Sequence, residues 1–166
     1  ATSYSHLWCD LGTCLTKQNK LDEAEYFYRE IVAMVDTSTK NLNGRVTGSV
    51  VRVIYGYFLL TTSRDDKEGA LSLYQEAVEI DPQNGNAHCN LGFALEKIGT
   101  DFTASVAAYE TALELDDGDA IARKNIVRLR RDHKSELVYL PEAERLYDVD
   151  MHADAADLLR PFIGRL

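Results

Sequence analysis

The sequence predicts an all-α protein built from helical hairpins stacked side by side. Three observations carry that expectation. A glycine recurs ahead of a small residue and an aromatic: Gly12 precedes Ala24-x3-Tyr28, Gly56 precedes Ala70-x3-Tyr74, and Gly92 precedes Ser105-x3-Tyr109. The tyrosine always lies four residues after the small residue, while the gap from the glycine is 12, 14 and 13 residues, so the variation falls in a turn, where insertions are tolerated. Ser105, Tyr109 and Ala112 follow at steps of four and three, which places them on one helical face. Gly92 and Ser105 lack bulk, so the helices that carry them can approach closely, with Tyr109 filling the space beyond. One such hairpin is too small to bury its apolar side alone and needs neighbours of the same kind.

Composition agrees with a folded, non-membrane chain. At 166 residues there is room for one domain or a short repeat array. The 45% hydrophobic and 27% charged content is that of a soluble folded protein. A net charge of −9 argues against bulk affinity for nucleic acid or an anionic membrane, and no apolar run approaches the length of a membrane span. Cys9, Cys14 and Cys89 form no metal-ligand or disulfide framework, and their odd number favours a reducing compartment. The chain begins at Ala1 without a methionine, which points to a removed leader or a piece of something longer. The expected setting is intracellular and soluble.

Taken in order, Trp8-x2-Leu11-Gly12-x2-Leu15 opens the first hairpin and Ala24-x3-Tyr28 lies on its return helix. Thr39 to Gly48 is an insertion rich in Thr, Asn and Gly; it reads as a surface spacer loop, or as a following helix that starts early at Arg45. The second hairpin runs from SVVRVIYGYFLL to EGALSLYQEAVEIDP, and the third from Asn86 to Asp117. Paired acids, Asp65-Asp66 and Asp116-Asp117, sit at helix junctions, where they stabilise the next N-terminus through its dipole rather than serve as acid/base pairs. Ala120 to Lys134 is one more helix, with Ile121, Ile126, Val127 and Leu129 on its apolar side. It suits a cap with a polar outer side. Its six basic residues against Asp132 make a local charge of +5, leaving −14 on the rest of a chain that carries −9 overall. In the tail, Pro141 can start a helix. Ala155, Leu158, Leu159 and Phe162 share a face there, and Ala155-x3-Leu159-x2-Phe162 echoes the return helix of a hairpin. The tail is either a degenerate fourth hairpin or a segment that packs on a partner or back onto the array.

These motifs resemble the tetratricopeptide repeat, whose pattern is Trp-x2-Leu-Gly-x2-Tyr, then Ala-x3-Phe, Ala and Pro. The first copy matches over about residues 5–38, the second over 49–84 with a diverged first helix, and the third over 85–119 except that Asp117 stands where proline is usual. The resemblance implies a right-handed α-solenoid of three helical hairpins over residues 1–134, closed by a capping helix at 120–134 and followed by a helical tail at 135–166.

Nothing in the sequence suggests an enzyme. It has no glycine-rich phosphate loop, no Gly-x-Ser-x-Gly elbow and no HExxH, and His6, His88, His133 and His152 are isolated. No cofactor is expected. Cys14 is equivalent to the small residue Ala94 and is expected in the core; Cys9 and Cys89 are expected on the groove, with nothing nearby to activate a thiol.

The useful chemistry is therefore a surface. In the family that the repeats resemble, first helices line a concave groove through the second, fifth, sixth, ninth, twelfth and thirteenth repeat positions. That resemblance assigns His6, Cys9, Asp10, Thr13, Thr16 and Lys17 from the first copy. It assigns Val50, Val53, Ile54, Tyr57, Leu60 and Thr61 from the second, and Asn86, Cys89, Asn90, Phe93, Glu96 and Lys97 from the third. The capping helix adds Lys124, Asn125 and Arg128. Asn90 and Asn125, both at the sixth repeat position, offer amides that can hold an extended backbone. Val50, Val53, Tyr57, Leu60 and Phe93 make the centre apolar, the mark of a partner site, unless the diverged helix turns them inward or the tail covers them. Lys124, Arg128 and Arg131 make the far end basic, either to receive acidic groups or as a solvated face offsetting the acidic array. Chaperone-binding members grip a terminal carboxylate with a Lys and an Asn in the first repeat and a Lys and an Arg in the third; those positions here hold Cys9 and Thr13, and Asn86 and Asn90, so heat-shock C-terminal tails are not the expected partner. The expected function is a non-catalytic scaffold or adaptor that binds a protein or peptide segment within a larger assembly. The alternatives are a linker subunit using its convex face and tail, or the docking module of an enzyme complex.

Overall fold

The computed structural model describes residues 2–36, 42–99 and 102–132. Seven α-helices make up these residues: α1 Thr2–Lys17, α2 Leu21–Asp36, α3 Leu42–Thr61, α4 Lys67–Ile80, α5 Gly85–Ile98, α6 Phe102–Leu115 and α7 Ala120–Asp132. Among the described residues there is no strand.

Turn chemistry sets the helix ends. Asp66 caps α4, its carboxylate accepting from the Gly69 N–H at 2.9 Å. Asn84 caps α5 by accepting from the Ala87 N–H, and its amide donates to Ser49 on α3 at 2.8 Å, so one side chain starts a helix and ties two hairpins. Gly99 ends α5 in the left-handed region at φ 75°, where a side chain would be strained. Asp119 accepts from Ile121 and Ala122 N–H at 2.9 and 3.0 Å and opens α7.

Each hairpin closes around a glycine and a tyrosine. A Cβ on Gly12 would lie 2.7 Å from the Tyr28 ring, and one on Gly56 2.7 Å from the Tyr74 ring. One on Gly92 would lie 3.0 Å from both the Tyr109 ring and the Ser105 carbonyl oxygen. The missing side chain is what admits the ring, and all three tyrosines are essentially fully buried. In the third hairpin the Ser105 hydroxyl also donates to the Gly92 carbonyl at 2.7 Å in the interior.

The hairpins then join through their return helices. Tyr28 of α2 stacks on Tyr55 of α3 at 5.6 Å and tilts against Phe58 at 5.2 Å. Buried Arg52 of α3 reaches Asp36 of α2 at 2.6 Å and Glu76 of α4 at 2.7 Å, clamping three helices. α7 docks on α6 through Ala122, Ile126 and Leu129 against Val106, Tyr109 and Ala112, with Arg130 paired to Glu110 at 2.5 Å. First helices touch in succession, α1 with α3 and α3 with α5, while α2, α4 and α6 make no contact of that extent with one another. Helices that touch on one side and splay on the other bend the stack. The first helices therefore line its inner face.

Two expectations change. The insertion does not run as a loop to Gly48, because α3 begins at Leu42; within this extra turn Arg45 donates to the Ile80 carbonyl at the end of α4 at 2.9 Å, satisfying an orphan acceptor. Cys14 is exposed rather than in the core. Its counterparts Phe58 and Ala94 are 2% and 0% exposed because a preceding hairpin covers them, and no described helix precedes α1. The tail and its possible fourth hairpin lie outside the described residues.

Tyr74 carries a buried hydroxyl with no hydrogen-bond partner, whereas Tyr28 pairs with Thr13 and Tyr109 with Glu96. Tyr74→Phe is therefore expected to leave the urea midpoint unchanged or raise it by the equivalent of about 1 kcal/mol, since it removes an unsatisfied buried group.

Candidate functional site: the inner face

The inner face is built from α1, α3, α5 and α7, and contact between adjacent first helices divides its positions into two kinds. Those at the edge facing the next helix are buried: Cys9 at 6%, Val53 at 7%, Leu60 at 9% and Cys89 at 7% exposure. Val53 and Leu60 thus lie in the core rather than on the groove, as do Cys9 and Cys89. Their helix face was read correctly, but the next first helix packs over it. Burial pushes the Cys9 thiol up to about 11, with Asp10 adding to the shift, and the Cys89 thiol up to about 12, with Asp119 adding. Both are protonated and unreactive at neutral pH. Lys124 holds the same register in α7 and is exposed, because no described helix follows.

The remaining positions make the surface. Tyr57 stands out at 55% exposure on α3, with Val50 and Ile54 half-buried beside it on the same helix. Phe93 holds the matching place on α5 and is half-buried, with the Lys97 ammonium 5.2 Å from its ring centroid. Ile121, expected on the packed side of the cap, is 67% exposed instead. It is the α7 counterpart of Val50 and Asn86 and extends the apolar surface. Alignment of α7 to the repeat register would have placed it there; reading the helix alone by apolar spacing did not.

The polar groups are partly engaged with one another. Asn90 donates to the Asn86 carbonyl and side-chain oxygens, both at 2.8 Å, so its amide N–H group is engaged with Asn86. Arg128 pairs with Glu96 at 2.6 Å and approaches Asn125 at 3.5 Å. Glu96 also accepts from the buried Tyr109 hydroxyl at 3.4 Å. The basic end is thus internally compensated at Arg128, and the centre is the apolar part. Among the described residues, no group of three or more His, Cys, Asp or Glu side chains could hold a metal ion. No described helix is long and apolar enough to cross a membrane.

A family model described as a TPR repeat, the tetratricopeptide repeat, matches residues 62–99, from the end of α3 through α4 and α5. That span includes the Ala70-x3-Tyr74 return helix and the Leu91-Gly92 approach. Residues 62–99 are therefore a tetratricopeptide repeat. Solved structures share the fold of the described helices. The TPR domain of Arabidopsis OM64 superposes with a TM-score of 0.62 at 21% identity, over 79% of this chain and 98% of that one. The first TPR of Spaghetti (RPAP3), solved bound to the HSP90 peptide SRMEEVD, superposes with a TM-score of 0.58 at 18% identity, over 80% of this chain and 94% of that one. Among curated proteins none matches the sequence significantly. Within this array, the inner face carries an apolar centre between neutral amides and a basic end in which Arg128 is paired with Glu96.

Proposed function

We propose that this array is a non-catalytic scaffold or adaptor that holds an extended protein segment along its inner face, as one subunit of a larger assembly. The observation that carries the reading is the exposed Tyr57, set among half-buried Val50, Ile54 and Phe93 and continued by exposed Ile121. A large aromatic left in water beside other apolar groups, on the one side where first helices converge, marks a partner surface. On this reading the Asn90 side-chain oxygen accepts from a backbone N–H of the partner.

The partner differs in chemistry from the acidic peptide held by the Spaghetti domain. The positions of the Lys, Asn, Lys and Arg that grip a carboxylate in chaperone-binding members of the family hold buried Cys9, Thr13 bonded to its own helix at the Cys9 carbonyl, and the Asn86–Asn90 pair. Arg128 is already paired with Glu96. An apolar, uncharged segment fits this face better than a carboxylate-rich one.

The test is capture of the partner by the full chain. Tyr57→Ala is expected to weaken it by about 2 kcal/mol, near thirtyfold, and Asn90→Ala by about 1 kcal/mol, with helical circular dichroism unchanged. Undiminished capture by both variants would move the contact to another surface. Strong weakening by salt that disappears in Arg128→Ala would show that the basic end, not the apolar centre, dominates.

A further inference from the structure

Each hairpin buries a tyrosine whose hydroxyl ends beneath the inner face, and in two of the three a residue of that face answers it. The Tyr28 hydroxyl lies 3.4 Å from that of Thr13, and Tyr109 donates to Glu96 at 3.4 Å. Thr13 comes one residue after Gly12, and Glu96 four residues after Gly92. In the second hairpin those two places, one and four residues after Gly56, hold Tyr57 and Leu60. Leucine has no polar atom to offer, and Tyr57 is 55% exposed to water. Tyr74 is at 0% exposure, and its hydroxyl has no hydrogen-bond partner among the described residues.

A second source of a partner is turned away as well. Asn125 of α7 stands beside the Tyr109 hydroxyl and bonds it from the next first helix. Asn90 holds the same register in α5, but its N–H group is engaged with Asn86 at 2.8 Å. Buried hydroxyls in folded proteins are rarely left unpaired, because the hydrogen bonds lost to water are then not replaced. This one lies under the apolar centre of the inner face, since the Tyr74 ring meets α3 at Gly56, one residue before Tyr57. Burial pushes the Tyr74 hydroxyl up, with the nearby Tyr57 adding to the shift, so it keeps its proton and remains a donor at ordinary pH.

We propose that the Tyr74 hydroxyl is the donor of a polar subsite within the apolar centre, and that it takes the side-chain carboxamide of an Asn or Gln carried by the bound segment. The proposal rests on the inner face being the partner surface, and it adds which side chain that surface selects. A backbone carbonyl of the segment stays level with the surface side chains, whereas a carboxamide on its methylene stem reaches the layer below. Being uncharged, the carboxamide enters apolar surroundings without the desolvation cost of a carboxylate, and its carbonyl oxygen accepts from Tyr74. Tyr57 moves aside to admit it, as an exposed side chain changes rotamer readily.

The probe is a peptide selected on the full chain from a phage-displayed library of uncharged peptides, its affinity then read by fluorescence anisotropy. Selected peptides are expected to share an Asn or Gln at one place. Replacing that residue with Leu is expected to weaken binding to the unchanged chain about fivefold, and Tyr74→Phe to weaken binding of the original peptide by the same factor, the loss of one hydrogen bond. On Tyr74→Phe the two peptides are expected to bind alike, because the two changes remove the same contact. Tyr74→Phe keeps the buried ring, and a general loosening of the array would not erase the difference between the peptides. Equal affinity of Tyr74→Phe and the unchanged chain for the original peptide overturns the proposal, as does a Leu penalty that persists undiminished in Tyr74→Phe. If Tyr57→Ala still weakens binding in either case, the subsite fails and the inner-face reading stands. If Tyr57→Ala also binds as tightly as the unchanged chain, or the library yields no binder, both fail.

Discussion

Gly56→Val is expected to lower the stability of the array by roughly 3 kcal/mol, the upper part of the range for overpacking a filled core. The new Cβ would lie 2.7 Å from Cε1 and 2.9 Å from Cζ of Tyr74, and that ring is wholly buried with no free space to turn into. Helix propensity works the other way, because valine is the better helix former by about half a kilocalorie per mole, but crowding is several times larger. Gly85→Ala is the matched control. Its nearest neighbour is 3.5 Å away, an ordinary contact, so that substitution is expected to be neutral or to gain a few tenths of a kcal/mol. Urea unfolding followed by circular dichroism separates the two. An unchanged midpoint in Gly56→Val would mean that the second hairpin does not depend on the close approach.

Tyr28→Ala is expected to cost more, about 3–5 kcal/mol, because it empties the largest side chain at the junction between the first two hairpins. The ring meets the Gly12 backbone within its own hairpin and both Tyr55 and Phe58 across the junction, so its loss opens both contacts together. Arrays of this kind are held by nearest-neighbour interfaces, which makes the damage local. Amides of α1 and α2 are expected to exchange much faster in the variant while those of α5 and α6 keep most of their protection. Uniform loss of protection would show that the described helices unfold as one unit.

The stack was legible in the sequence because its essential contacts are local and repeat. Gly12 with Tyr28, Gly56 with Tyr74 and Gly92 with Tyr109 are each 16 to 18 residues apart across a single turn, which absorbs the variation, while the four-residue step from the small residue to the tyrosine is constant. The surface was less legible because exposure depends on the neighbouring repeat. Val53 and Leu60 occupy the right helix but face the next one, and packing hides them. Cys14 and Ile121 err in the opposite direction: both look like core by type or spacing, and both are exposed at the ends of the described stack. Of the two readings of the insertion the early helix holds, but it starts at Leu42 rather than Arg45, and the added turn gains from a long-range bond between Arg45 and Ile80 that no local pattern announces.

Electrostatics show the same division. The basic character of α7 is plain from composition, but the Glu96 partner of Arg128 and the Glu110 partner of Arg130 lie 32 and 20 residues away in the chain. The first pair takes Arg128 out of the basic end, where Lys124 and Arg131 are exposed, and it shifts attention to Tyr57 and its apolar neighbours.

Cross-linking of the chain in its native assembly, mapped by mass spectrometry, tests the central claim most directly. Lys17, Lys97 and Lys124 lie along the first helices, whereas Lys20 and Lys67 sit at the turns that enter α2 and α4. The inner-face account predicts partner cross-links concentrated at Lys97 and Lys124, with Lys17 next. Cross-links confined to Lys20 and Lys67 would contradict it.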